Sequence, residues 1–133
     1  MTASPASPSA APGKAALWTG RILSALPVLA MLLSGGAKLL HPPQVVAGFN
    51  NLGYPASVIT PIGLAELACA LVYAIPRTAI LGAILVTGYL GGAVATHVRV
   101  SDPSFVSPLI LGIFAWAGLY FRDPRIRALL PLN

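Results

Sequence analysis

Four side chains in this sequence could carry proton or ligand chemistry in surroundings where such groups are scarce: Lys38, Glu66, Tyr89 and His97. Lys38, Glu66 and His97 fall in three successive apolar stretches, and Tyr89 shares the third with His97. A charged group at the centre of a membrane span costs roughly 2.5–3.5 kcal/mol on insertion scales. Such residues persist where they are paired, hydrated or used. An ammonium and a carboxylate within reach of each other would form an ion pair. An imidazole beside them can exchange a proton near neutral pH. Each residue also has a simpler reading. Lys38 lies near the end of its stretch and could lay its stem along the helix with its head in water. His97 could anchor the end of its own stretch. Glu66, deep in its stretch, could be a hydrogen-bonded structural lock.

The elements that must hold these groups follow from composition. The chain has 133 residues, of which 8% are charged and 56% apolar. A soluble domain carries about 25% charged residues. Eight Lys/Arg and three Asp/Glu cannot clothe a water-facing surface, so the expected solvent is largely lipid. The net charge of +5 does not point to nucleic acid, because the cations sit at the ends of apolar runs rather than on one face. Cys69 is the only cysteine, so no disulfide or dithiol pair exists within one chain. Its plain reading is a small packing residue. One mid-span carboxylate with scattered His41 and His97 lacks the spacing of a metal site.

Four spans are expected: Trp18–Leu40 with Pro27 inside, Ser57–Ile75, Thr78–Val98, and a fourth starting at Asp102-Pro103 or Ser107-Pro108 and ending at Phe121. Helices satisfy every backbone group in hydrocarbon, and short links between them imply an all-α, antiparallel four-helix membrane bundle. Between the first two spans, Val45, Val46, Phe49 and Leu52 recur on one face of a short helix after Pro42-Pro43, with Gly53 to end it. This reads as an interfacial helix. Thr60-Pro61 resembles a helix cap followed by proline at the first helical position. Gly88 and Gly92 form a GxxxG pair for close helix packing. Counted from the span ends, Glu66 is deeper than Lys38 and His97 by roughly 9–14 Å at 1.5 Å per residue.

The organisation expected is an unstructured Ala/Ser/Pro-rich tail over residues 1–16, a transmembrane domain over 17–122 and a short basic tail over 123–133. Lys14, Arg21, Arg77, Arg122, Arg125 and Arg127 would share one side, and Lys38 and Arg99 the other. That asymmetry places both termini in the cytoplasm of a cell (inner) membrane protein.

Several segments also resemble a known family. Ser34-Gly-Gly-Ala-Lys-Leu-Leu40, Val46-Ala-Gly-Phe-Asn-Asn-Leu-Gly-Tyr-Pro55, Gly63-Leu-Ala-Glu-Leu67 with Ile75-Pro-Arg77, and Gly91-Gly-Ala-Val-Ala-Thr-His-Val-Arg-Val-Ser-Asp-Pro103 are similar, in order and spacing, to the DoxX-like family of small membrane proteins. The resemblance covers roughly residues 20–122. It implies a four-helix membrane bundle with recurrent polar positions at Lys38, Glu66 and His97. It also implies a link to membrane redox chemistry of thiols and sulfur compounds, with a quinone as the cofactor to look for.

Three functions follow as expectations. The first is a non-catalytic membrane subunit or scaffold, with Gly88 and Gly92 docking a partner or a second copy. The second is a quinone- or lipid-associated component of a membrane redox system, with Lys38, Glu66, Tyr89 and His97 lining its pocket. The third is an oligomeric transporter of small molecules or lipids. No catalytic residue is assigned, and the bilayer is the one partner common to all three.

Overall fold

The structure is a computed structural model that describes residues 11–130. Helix α1 runs Lys14–Leu40, α2 Pro43–Asn51, α3 Ile59–Ala74, α4 Ala79–Arg99, α5 Val106–Arg122 and α6 Pro124–Leu129. Single 3-10 turns, Ala56–Val58, Pro76–Thr78 and Pro103–Phe105, lead into α3, α4 and α5. Four helices, α1, α3, α4 and α5, each with its leading turn where it has one, are long and apolar enough to cross a membrane. Their outward faces carry exposed Leu29 and Leu33, Leu64 and Leu71, Leu81 and Ile84, Leu109 and Ile113. In water these faces would be adhesive apolar patches, whereas in a bilayer they match the lipid tails.

α1 packs against α3 and α5, and α4 packs against the same two. The four spans thus form a closed antiparallel ring. The start of α1, α6 and the Pro76–Thr78 turn lie at one end, called terminal here. α2 and the turn before α5 lie at the distal end. Hydrocarbon supplies no hydrophobic drive between helices, so close backbone approach has to hold them together. Glycine provides it at three seams. A methyl group on Gly20 would sit 2.7 Å from the Gly118 carbonyl oxygen, and one on Gly63 would sit 2.8 Å from Lys38 Cβ. One on Gly82 would overlap the Tyr73 backbone. The α4–α5 seam instead uses a side-chain bond, Trp116 Nε1 donating to Thr87 Oγ1 at 2.7 Å.

The terminal half is dry and locked by a second polar group. Met31, Tyr73, Val86 and Leu119 are at most 1% exposed. The Tyr73 hydroxyl donates to the Ala115 carbonyl at 2.6 Å and is hydrogen-bonded to Ser24 Oγ at 3.0 Å. Arg122 Nε also donates to Ser24 Oγ, at 2.9 Å, and its guanidinium lies over the Tyr73 ring.

Local expectations fared unevenly. The interfacial helix exists as α2, with Phe49 its buried residue. Gly53 ends it with a φ of 82°, which suits a residue without a Cβ. Thr60 does not cap α3. The 3-10 turn starts the helix earlier, Thr60 falls in its first turn, and its hydroxyl is hydrogen-bonded to His41 Nε2. The expected N-terminal tail falls chiefly on residues 1–10, which lie outside the described residues, and α1 begins at Lys14. At the other end, α6 occupies much of what the sequence reads as a tail. Asp123 caps it by accepting from Arg125 N–H, Ile126 is buried, and Arg127 Nε donates to the Tyr120 carbonyl at the C-terminus of α5.

Candidate ligand site in the distal half

Lys38 and Glu66 meet directly. Lys38 Nζ lies 2.6 Å from Glu66 Oε2 and donates to Ser34 Oγ, also at 2.6 Å. Ser34 Oγ in turn donates to Glu66 Oε2 at 3.3 Å. The side chains are 14% and 5% exposed for Lys38 and Glu66. Lys38 therefore does not snorkel, and Glu66 is paired rather than alone.

Backbone geometry explains the meeting. Gly35 and Gly63 mark the closest approach of α1 to α3, and each stands three residues before its charged partner. Gly63 is level with Lys38, so the axial gap from Lys38 to Glu66 is three residues, about 4.5 Å. This corrects the larger depth difference expected from span ends. Helical side chains lean toward the N-terminus of their own helix. On antiparallel helices Lys38 leans down and Glu66 leans up, and the remaining gap closes.

Around this pair the distal half of the bundle is hollow. A cavity of about 740 Å³ is lined by all four spans and roofed by α2 and the residue after it, with Val45, Phe49 and Leu52 in its lining. Ser34, Lys38, Glu66, Tyr89 and His97 all contribute to its wall. Tyr89 lines the cavity together with Glu66. His97 stands apart from the ion pair. Its Nδ1 lies 2.7 Å from the Ala93 carbonyl one turn back. A carbonyl only accepts, so Nδ1 carries the proton and Nε2 is left for another partner. The expected polar cluster is thus a Lys38–Ser34–Glu66 triplet, with Tyr89 and His97 on the same cavity wall.

The roof is pinned at its C-terminal side. Arg99 donates to the Leu52 carbonyl, and the Tyr54 hydroxyl is hydrogen-bonded to Thr96 Oγ1 at 3.2 Å. Nearby Asp102 accepts from Ser104 N–H, which holds its carboxyl below the ordinary range. Gly88 and Gly92, singled out for packing, have no atom of another helix within 4 Å of where a Cβ would sit. They border the cavity instead.

The family model for the DoxX-like family matches residues 22–118, which includes every residue of the ion-pair triplet and the cavity wall from α1 to α5. The chain belongs to the DoxX-like family. No curated protein and no solved structure matched it.

In this DoxX-like chain the site offers a defined set of unused hydrogen-bonding positions. Both bonds to Glu66 end on Oε2. Among the described residues none ends on Oε1, and that oxygen is not sealed away from open space. The Lys38 ammonium has three donors and uses two. A neutral group that both donates and accepts, such as a hydroxyl, could bridge Oε1 and the third ammonium proton. Sequence reasoning gave Ser34 no chemical role. The i, i+4 spacing of Ser34 and Lys38 was the available signal for it.

Proposed function

We propose that this multi-pass membrane protein binds an amphipathic, lipid-soluble molecule in its distal cavity. The polar head lies against Lys38, Glu66 and Tyr89, and the apolar body lies under α2. One observation carries the reading: a cavity of about 740 Å³ whose wall includes a nearly buried ion pair with an unused acceptor. That volume falls in the range of small-molecule sites, which are mostly apolar with a few placed polar groups. Because the pair is internally neutralised, it favours an uncharged head with a hydroxyl or carbonyl over a free anion. A quinol meets these requirements in full, while its quinone form would keep only the bond accepted from Lys38, and the couple matches the redox association that the family resemblance implies. A long-chain alcohol meets them too.

The packing favours binding over through-transport. Below the ion pair, Met31, Ala70, Tyr73 and Val86 fill the middle of the bundle at 1% exposure or less, and the space that does run on toward Tyr120 and Leu130 is a groove between α4 and α5 that shares Leu90 and Pro108 with the cavity. Six of the eight Lys/Arg sit at the terminal end. By the positive-inside tendency, this supports cytoplasmic termini and a cavity toward the outer leaflet.

The test is thermal unfolding of detergent-purified protein with a decyl-tailed benzoquinol and with a medium-chain alcohol, beside mass spectrometry of its lipid extract. A saturable rise in melting temperature that is lost in Glu66→Gln supports the reading. No shift with either probe, and no co-purified amphiphile, would overturn it.

A further inference from the structure

The cavity needs an opening, and the distribution of contacts along the α3–α4 seam shows where one lies. At the terminal end the two helices are in tight backbone contact, with Gly82 against Tyr73. One turn further, Cys69 Sγ is 3.7 Å from the Leu85 carbonyl, so Leu85 still marks the flank of α4 that faces α3. Leu85, Gly88 and Gly92 follow at i, i+3 and i+7 and therefore share that flank. At Gly88 and Gly92 nothing lies within 4 Å of an added Cβ. Both glycines are exposed, and both line the cavity. At these two positions no side chain closes the wall of the cavity. The close α3–α4 approach made at Gly82 is not repeated at Gly88 and Gly92, which leaves a gap in the wall. Directly behind it stand Tyr89 and the nearly buried Glu66, whose Oε1 lacks a hydrogen-bond partner among the described residues.

We propose that the α3–α4 seam at Gly88 and Gly92 is a lateral portal through which a molecule dissolved in the bilayer reaches the Lys38–Glu66 pair. The proposal rests on the binding reading above and narrows the ligand class: the molecule arrives from hydrocarbon rather than from water. The roof is an inferior route, since α2 is pinned by Arg99 and by the Tyr54–Thr96 bond. The absence of a Cβ at two positions one turn apart keeps the gap open. Larger side chains there would fill it without touching the rest of the bundle, which separates the portal from the packing of the fold.

The experiment uses a long-chain alcohol bearing an alkyl diazirine, added to phosphatidylcholine vesicles that contain the full chain. Adducts are mapped by peptide mass spectrometry after illumination. In the wild type, adducts are expected on Ser34, Glu66 or Tyr89 inside the cavity, and on the lipid-facing Leu109 and Ile113. The double variant Gly88→Leu/Gly92→Leu should lower the interior adducts at least fivefold and leave those on Leu109 and Ile113 unchanged. The exterior adducts and a melting temperature no lower than that of the wild type show that this variant is folded. Interior adducts that persist in the folded variant overturn the portal while leaving the binding reading intact. So does a dimer that buries Gly88 and Gly92 while interior labelling continues. Should the wild type acquire exterior adducts only, the binding reading fails and the portal falls with it.

Discussion

Removing Lys38 alone should harm the bundle more than removing Lys38 and Glu66 together. In Lys38→Met the Glu66 side chain, 5% exposed, keeps a single partner, Ser34 at 3.3 Å. Stranding one half of a buried ion pair costs about 3–5 kcal/mol. The lower end applies here, because Lys38 is 14% exposed and Glu66 borders a cavity that can admit water. Glu66→Met strands the ammonium and should cost about 3 kcal/mol as well. In the double variant no charge is left uncompensated, and apolar replacement of a buried pair is often neutral. Its cost should not exceed that of either single change, which leaves a shortfall from additivity of about 3 kcal/mol. Reversible unfolding in mixed micelles, followed by circular dichroism as the denaturing detergent fraction rises, measures all four corners of the cycle. Single costs below about 1 kcal/mol, or a double cost equal to the sum of the singles, would refute a buried pair.

Other consequences can be checked on the same preparations. Gly82→Ala forces a methyl group into the Tyr73 backbone and should cost at least about 2 kcal/mol. Gly88→Ala and Gly92→Ala meet open space and should be neutral or slightly stabilising, by up to about 0.5–1 kcal/mol from helix propensity. Tyr73→Phe removes the hydroxyl that joins Ser24 and Ala115, and equilibrium unfolding should register a loss of about 1 kcal/mol. Asp123 titrates at the terminal end. Hydrogen bonds from the Arg125 side chain, and then from its backbone N–H, hold its carboxyl below the ordinary value. The unfolded chain therefore takes up that proton at a higher pH than the folded one. The stabilisation is present above about pH 3.9 and disappears as pH falls through the lower folded value. Melting temperature from about pH 5 to 2.5 should drop less in Asp123→Asn than in the wild type.

The bundle was readable because low charge and long apolar runs leave a membrane chain little other than helices. The span order, α2 and the tight Pro76 turn all followed from punctuation by proline and glycine. Depth was harder to read. Counting from span ends separated Lys38 from Glu66, whereas the Gly35–Gly63 crossing sets the register and opposed side-chain tilts close the gap. That information belongs to a pair of helices and to neither alone. The same limit explains the glycines. Gly88 and Gly92 carry the familiar spacing but face open space, while Gly20, Gly63 and Gly82, each paired with a residue distant in sequence, hold the seams. His97 lies on the cavity wall, but its bond to Ala93 keeps its Nδ1 out of the ion pair. The helix after Asp123 was missed because six residues are too few for a periodic signal. The Asp123-Pro124 cap was the cue available.

The most direct measurement is a density map of the protein in a lipid nanodisc, resolved well enough to place side chains. The ion-pair geometry and the hollow distal half predict Lys38 Nζ within hydrogen-bond distance of Glu66, with elongated density running from that pair toward the gap at Gly88 and Gly92. A Lys38 side chain extended to the headgroups, with α2 collapsed onto a filled distal core, would contradict it.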